Sequence, residues 1–205
     1  MMDVQFRRPE VRDMMDAMDD DALWAALRGA DETAFRELFG RHNKAVYNVA
    51  FRHAASWTIA EDATQACFST VWRQASRNRL PVVRSGAVRA WLCACGRNEA
   101  RNLVRSDRRR FRLVGKAGED PPPWQHDNVD AWLMHEESMR RINGILSRLP
   151  DGQRQVVELV AWGGCSMTEV ADALGVAVGT VKSRLARARN TLATSEVAHL
   201  LGKEN

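Results

Sequence analysis

Apolar positions along this 205-residue chain recur at helical spacing, and nowhere do they alternate in the two-residue rhythm of a strand. The pattern predicts an all-α fold. Leu23, Trp24, Leu27, Phe35, Leu38, Phe39, Val46, Tyr47, Val49 and Ala50 carry the 3.6-residue period, with a break near Gly29 and Ala30, and are expected in a core. A further helix is expected to open at Thr58, where Thr58 and Glu61 have the spacing of a capping box, and to run to about Ser76. On it Thr64, Phe68, Val71, Trp72 and Ala75 form an apolar stripe, while Asp62, Gln65, Ser69 and Arg73 line the other side. Composition alone assigns that polar stripe to solvent. A loop over 77–86 leads into a helix through Trp91, Leu92, Cys95, Asn98 and Asn102 to Arg108, Arg109 and Arg110.

Periodicity fails over residues 112–130, RLVGKAGEDPPPWQHDNVD, whose glycines and proline run predict a flexible linker. The expected organisation is an extension over 1–19, a helical domain over 20–111, the linker, a second helical domain over 131–195 and a tail over 196–205. A linker of 19 residues reaches at most roughly 65 Å, enough for two modules to grip separated sites on one ligand.

The second domain ends in a helix-turn-helix pattern over 166–189. Ala171, Gly175 and Val181 supply a small residue at the helix crossing, a turn residue and an apolar anchor. Ser166 and Glu169 predict a capping box, with Cys165 and Val170 as its hydrophobic staple. On the following helix Val181, Leu185, Ala188 and Leu192 share one face, leaving Lys182, Ser183, Ala186 and Arg187 opposite. That opposite face carries donors and a small apolar group, as contact with base edges in a major groove requires. Arg184 and Arg189 sit at its flanks, where a guanidinium meets phosphate. From 178 to 190 there are four basic residues and no acidic one.

Charge sharpens this picture. The net charge is only +4, but residues 10–37 hold nine acidic and three basic side chains while 97–112 hold seven basic and two acidic ones. Five arginines and no acid fall between 73 and 89, followed by Trp91 and the amides of Asn98 and Asn102, a mixture suited to opened or single-stranded nucleic acid. Trp91 at helical spacing fits a core position equally well. The four cysteines, Cys67, Cys93, Cys95 and Cys165, show no ligand spacing and are expected as buried thiols. Cys93 and Cys95 would point about 200° apart on a helix, so a metal or disulfide shared by them is not expected. No metal, cofactor or catalytic constellation is expected, since the five histidines are scattered singly and no phosphate-binding glycine loop occurs. No apolar run approaches a membrane span, which points to a cytoplasmic protein without membrane insertion. The acidic, methionine-rich front, residues 1–21, is expected to be a disordered tail or to precede a true start at Met14, Met15 or Met18, with a partner-binding arm as the alternative.

The segments AEDATQACFSTVWR (60–73), Arg89-Ala-Trp-Leu92, Arg97-Asn98, then Leu149-Pro150, Gln153-Arg154 and GTVKSRLARAR (179–189) together resemble the extracytoplasmic-function (ECF) sigma factors of bacterial RNA polymerase. The resemblance spans roughly residues 20–195. It implies a region 2 domain that binds core polymerase and melts the downstream promoter element, and a region 4 domain that reads the upstream element. Asp62, Gln65, Ser69 and Arg73 would then face the clamp of the largest polymerase subunit, and region 4 the flap. The loop over 77–86, with Asn78, Arg79 and Arg84, would cradle a base flipped from the non-template strand. Trp91, Arg97, Asn98, Arg101 and Arg105 would lie along the promoter where it opens. Lys182, Ser183, Ala186 and Arg187 match the positions that enter the major groove, flanked by Arg184 and Arg189. An anti-sigma factor is a further partner that the resemblance implies. Three departures stand out. Ala66 and Cys67 replace the common Glu-Val, Ala186 stands where a larger His or Phe is frequent, and Ala177 where proline is common. A stand-alone helix-turn-helix regulator is the competing expectation, opposed by the AEDATQ segment, for which such a protein has no use.

Overall fold

The computed structural model describes residues 18–114 and 129–201. Among the described residues there are helices and no strand: α1 (Asp20–Arg28), α2 (Glu32–Ala54), α3 (Trp57–Ala75), α4 (Val88–Val114), α5 (Val129–Leu146), α6 (Asp151–Ala161), α7 (Met167–Leu174) and α8 (Val178–Leu201). The expected all-α class is the class observed.

Local chemistry sets the helix starts. The Asp19 carboxylate accepts from Ala22 N, and Asp31 accepts from Thr33 N and Ala34 N, each meeting amides that have no partner inside the helix. The break expected near Gly29 and Ala30 is present, with Gly29 closing α1 and Ala30 at φ 62°. The start expected at Thr58 is corrected. Ser56 is the N-cap, in extended backbone, with its hydroxyl accepting from Ile59 N. Trp57 is drawn into the first turn because its ring stacks on Phe51 at 3.7 Å, and its amide donates to the Glu136 carboxylate of α5.

Helices α2, α3 and α4 pack on one another, with α1 across α2 and α4. Gly96 allows the closest approach: a Cβ there would fall on the Val46 methyl of α2. The core stripe of α3 is as expected, with Thr64, Phe68, Val71 and Ala75 buried and Trp72 tilted against Phe35. Of the first-half core residues, Phe39 is the outlier. It is exposed, with its ring edge on Phe68.

Helix α4 runs three residues into the segment expected as linker, and α5 begins at its penultimate residue. The rest of that linker, 115–128, lies outside the described residues, as do 1–17 of the extension and 202–205 of the tail.

The two helical domains do not stand apart. Val156 and Leu159 of α6, Val170 and Ala171 of α7 and Val181 of α8 join one apolar cluster with Leu23, Leu38, Val46, Phe68 and Leu92. Helix α4 is the shared element, touching α2 and α3 on one side and α6 and α7 on the other. A second cluster brings Met139 of α5 against Ala50, Phe51 and Ala55 at the end of α2 and Ala60 and Ala63 of α3. In this arrangement the two helical halves share a core.

Candidate nucleic-acid interface

In the helix-turn-helix, Ser166 accepts from Glu169 N while the Glu169 carboxylate takes the Ser166 amide, completing the capping box. Cys165 and Val170 are both buried beside it, as a staple requires. Gly175 sits in the left-handed region at φ 64°, and its N–H returns to Ala171 O and Asp172 O, turning the chain into α8. Ala171 and Val181 are buried where the two helices meet.

Burial of Val181 and Ala188 fixes the rotation of α8. Lys182, Ala186, Arg187 and Arg189 are thereby exposed, and Ser183 is half-buried, its hydroxyl donating to Thr180 O at 3.0 Å. Arg184 is turned aside from that face. Its guanidinium lies over Gly152 at the start of α6, so close that a Cβ on Gly152 would be 3.3 Å from it. On α3, Asp62, Gln65, Ser69 and Arg73 are all exposed on one side of the helix.

The loop over 77–86 is held by α1 at several points. Trp24 Nε1 donates to Pro81 O, Arg28 Nε donates to Leu80 O, and the Asp21 carboxylate accepts the amide of Gly86 and the hydroxyl of Ser85. Asn78, at φ 53°, and Arg79 project into solvent at its start. Trp91 lies edge-on against Trp24 with centroids 5.1 Å apart and remains half-buried. Asn98 is half-buried and Arg105 exposed.

Three of the expected DNA-facing arginines are engaged by the other half of the chain. Arg84 Nη1 pairs with Asp172 of α7 at 2.9 Å. Arg97, expected on an open surface, is instead fully buried: Nε donates to Glu158 Oε2 at 2.7 Å and Nη2 to Asp151 Oδ1 at 2.6 Å. Arg101 Nη1 binds the second oxygen of Asp151 at 2.6 Å. The physical reason is that Glu158 is also fully buried, and a buried carboxylate needs a cation with fixed donors. Its other oxygen accepts from Arg154 Nε at 2.6 Å and faces His53 Nδ1 at 2.9 Å. Because a carboxylate only accepts, the proton of neutral His53 is assigned to Nδ1.

The charge states follow. Burial alone would raise the Glu158 carboxyl, but the His53 contact and the Arg154 and Arg97 charges outweigh it and pull it down to about 2. Burial likewise opposes charge on Asp151, and the Arg97 bond with the Arg97 and Arg101 charges holds its carboxyl below the usual range. His53 titrates below its ordinary value, since burial outweighs the Glu158 carboxylate that favours its charged form.

The thiols influence one another in a way the spacing did not suggest. Cys165 of the other half, together with burial, pushes the Cys93 thiol up, and Cys95 with burial does the same to Cys67. Among the described residues no group of three or more His, Cys, Asp or Glu could hold a metal ion.

Asp151, Glu158, Asp172 and His53 were not singled out from the sequence. The one available signal was Glu158 itself, a lone acid inside the apolar run Val156-Val157-Glu158-Leu159-Val160.

The SigK protein of Mycobacterium tuberculosis (strain ATCC 25618 / H37Rv), an ECF RNA polymerase sigma factor, is 31% identical to this chain over 175 residues, covering 84% of the chain and 90% of SigK. The chain belongs to the ECF RNA polymerase sigma factors. RpoE of Cereibacter sphaeroides, of the same family, is 30% identical over 181 residues, 88% of this chain and 96% of its own. The family Sigma-70 region 2 matches residues 38–110 and Sigma-70, region 4 matches residues 139–192. The solved structure of CnrH in complex with the cytosolic domain of CnrY superposes with a TM-score of 0.59 at 26% identity, covering 91% of this chain and 99% of CnrH. Region 2 thus contains most of α2, α3 and α4 up to residue 110, and region 4 begins in α5 and ends in α8. As an alternative sigma factor the chain serves promoter recognition in transcription initiation. Among the described residues no helix is long and apolar enough to cross a membrane.

Proposed function

We propose that region 4 of this sigma factor docks on the upstream promoter element through Lys182, Ser183, Ala186 and Arg187, with Arg184 and Arg189 on flanking phosphates, while region 2 captures the opened downstream element. Asn78, Arg79 and Arg84 of the loop would receive a flipped non-template base, and Trp91, Arg97, Asn98, Arg101 and Arg105 would follow the strand as it opens. Asp62, Gln65, Ser69 and Arg73 would bind the clamp of the polymerase. The chain itself performs no catalysis, since the polymerase supplies the chemistry. Unstacking costs a few kcal/mol per step, which contacts to the captured bases and to polymerase offset. It works in the cytoplasm, at the nucleoid with RNA polymerase. The solved RpoE of Bartonella quintana is in complex with the anti-sigma factor NepR, and this chain would take a partner of that kind.

The observation that carries this reading is the α8 surface away from the buried Val181 and Ala188, where Lys182, Ala186 and Arg187 are exposed. The exposed polar stripe of α3, which would bind the clamp, favours a polymerase subunit over a stand-alone regulator. Run-off transcription from a genomic fragment library, using bacterial core polymerase with and without the protein, tests it. Defined start sites that need both components are expected. No added transcripts, with tight binding of the protein alone to duplex DNA, would turn the reading toward the regulator.

A further inference from the structure

The 77–86 loop contains no helix or strand, yet its path is set at both ends and in the middle. At its start the amides of Arg77 and Arg79 donate to Gln74 O and that of Asn78 to Ala75 O, and at its end Ala87 N donates to Arg84 O. The middle is held by one stripe of α1, Asp21, Trp24 and Arg28, at i, i+3 and i+7. Trp24 Nε1 donates to Pro81 O at 3.0 Å, Arg28 Nε donates to Leu80 O at 3.3 Å, and the Asp21 carboxylate takes the Gly86 amide at 2.9 Å and the Ser85 hydroxyl. Apart from that hydroxyl, α1 grips backbone atoms, so the path of the loop is fixed while the side chains of Asn78, Arg79 and Val82 stay in solvent. Val82 is held outward, 77% exposed, while Leu80 and Val83 on either side of it pack on the core. Trp24 reaches further. Its ring lies edge-on against Trp91 with centroids 5.1 Å apart, so one side chain ties the loop to the helix that would follow the opened strand.

We propose that Asp21, Trp24 and Arg28 are positioning residues for the downstream promoter element: they set the loop in its base-receiving shape before nucleic acid arrives and hold it in register with Trp91. They act through the loop backbone rather than on the base. A loop already ordered loses little further conformational freedom on capture, and the geometry that tells one base from another is in place when the strand opens. The inference rests on the proposed role of the loop as receiver of a flipped base.

The test uses the full chain as Asp21→Ala and as Trp24→Phe, which removes the indole N–H while keeping a ring in the core. Glu32→Ala is the control, removing an exposed acid from the first turn of another helix. Hydrogen exchange without polymerase reads the loop directly. Peptides covering 79–87 should exchange faster in both variants and as in wild type in the control, with α3 and α4 protected throughout. Run-off transcription with core polymerase then compares promoters that differ at single non-template bases of the downstream element. Wild type should favour one base at the captured position, and both loop variants should compress that preference on the order of tenfold, the scale of one mismatched base, while preferences at the upstream element stay unchanged. Asp21→Asn, which keeps an acceptor for the Gly86 amide, should restore most of the preference. A merely structural role would lower transcript yield from all promoters alike and leave the preference intact. That result would overturn the proposal, as would loop exchange unchanged from wild type. Wild type separates the two failures. If it discriminates bases at the downstream element and the variants do so equally, only the positioning role falls, whereas a wild type that reads no base there removes the base-receiving role beneath it.

Discussion

A single carboxylate, Glu158, decides how the two halves meet. It is fully buried with Arg97, and removing one partner of such a pair leaves the other charge uncompensated, at a cost of about 3–5 kcal/mol. Glu158→Gln should therefore lower stability by an amount of that order in chemical denaturation, while Glu137→Gln, on an exposed helix face, should change it little. At the opposite surface, the exposed residues of α8 divide by what they would touch. Lys182 stands in the first turns of α8, the end of such a helix that contacts base edges, and Arg189 lies two turns further along the same edge. Lys182→Ala should weaken promoters of one upstream sequence and spare others. Arg189→Ala should weaken all about equally and reduce the salt slope of binding by about one. Equal losses from both, measured across promoters that differ at the upstream element, would count against base contact by Lys182.

Helix crossings and turns carry the next level of constraint. Gly96 of α4 faces Val46 of α2, and a β-branched side chain buried in a core cannot rotate away. Gly96→Ala gains helix propensity of roughly 1 kcal/mol yet forces an overpacking cost of about 1–3 kcal/mol, so a net loss in urea denaturation is expected. Gly175 poses a different problem. A Cβ there would meet nothing, but φ of 64° is left-handed, and Gly175→Ala should cost about 1–2 kcal/mol through the backbone alone. Such elements were legible in the sequence where local chemistry dominates. The capping box at Ser166, the Gly175 turn and the outward stripes of α3 and α8 all follow from spacing, because a helix fixes which residues share a face. The start of α3 was not legible, since it depends on Trp57 stacking on Phe51 and on Glu136 arriving from α5, contacts between segments far apart in the chain. The burial of Arg97 was hidden for the same reason. An arginine in a basic helix looks solvent-facing until an acid 61 residues away is placed against it.

For the molecule as a whole, buried titratable groups couple stability to pH. Two buried histidines of α2, His42 and His53, titrate below their ordinary 6.5 because burial disfavours their charged forms. Around His53 stand Glu158, which favours its charged form, and Arg154 and Arg97, which oppose it. The folded chain keeps such a histidine neutral while the unfolded chain protonates it below about 6.5, so the unfolded state binds more protons and stability falls as pH drops through that value. Each histidine contributes at most about 1.4 kcal/mol per pH unit over that window. Glu158 acts in a second, more acid window. Its carboxyl is pulled from 4.5 to about 2, so its stabilisation is complete above about 4.5 and is lost as pH falls from there toward 2. Asp151 adds to that acid window in the same sense. Thermal unfolding followed from pH 8 downward should hence show a plateau, a decline beginning near 6.5, and a steeper loss below about 4.5. His53→Asn should remove part of the first decline and leave the second in place. A stability profile flat from pH 7 to pH 5 in wild type would show that His53 and His42 are protonated alike in both states, and would remove the histidine contribution.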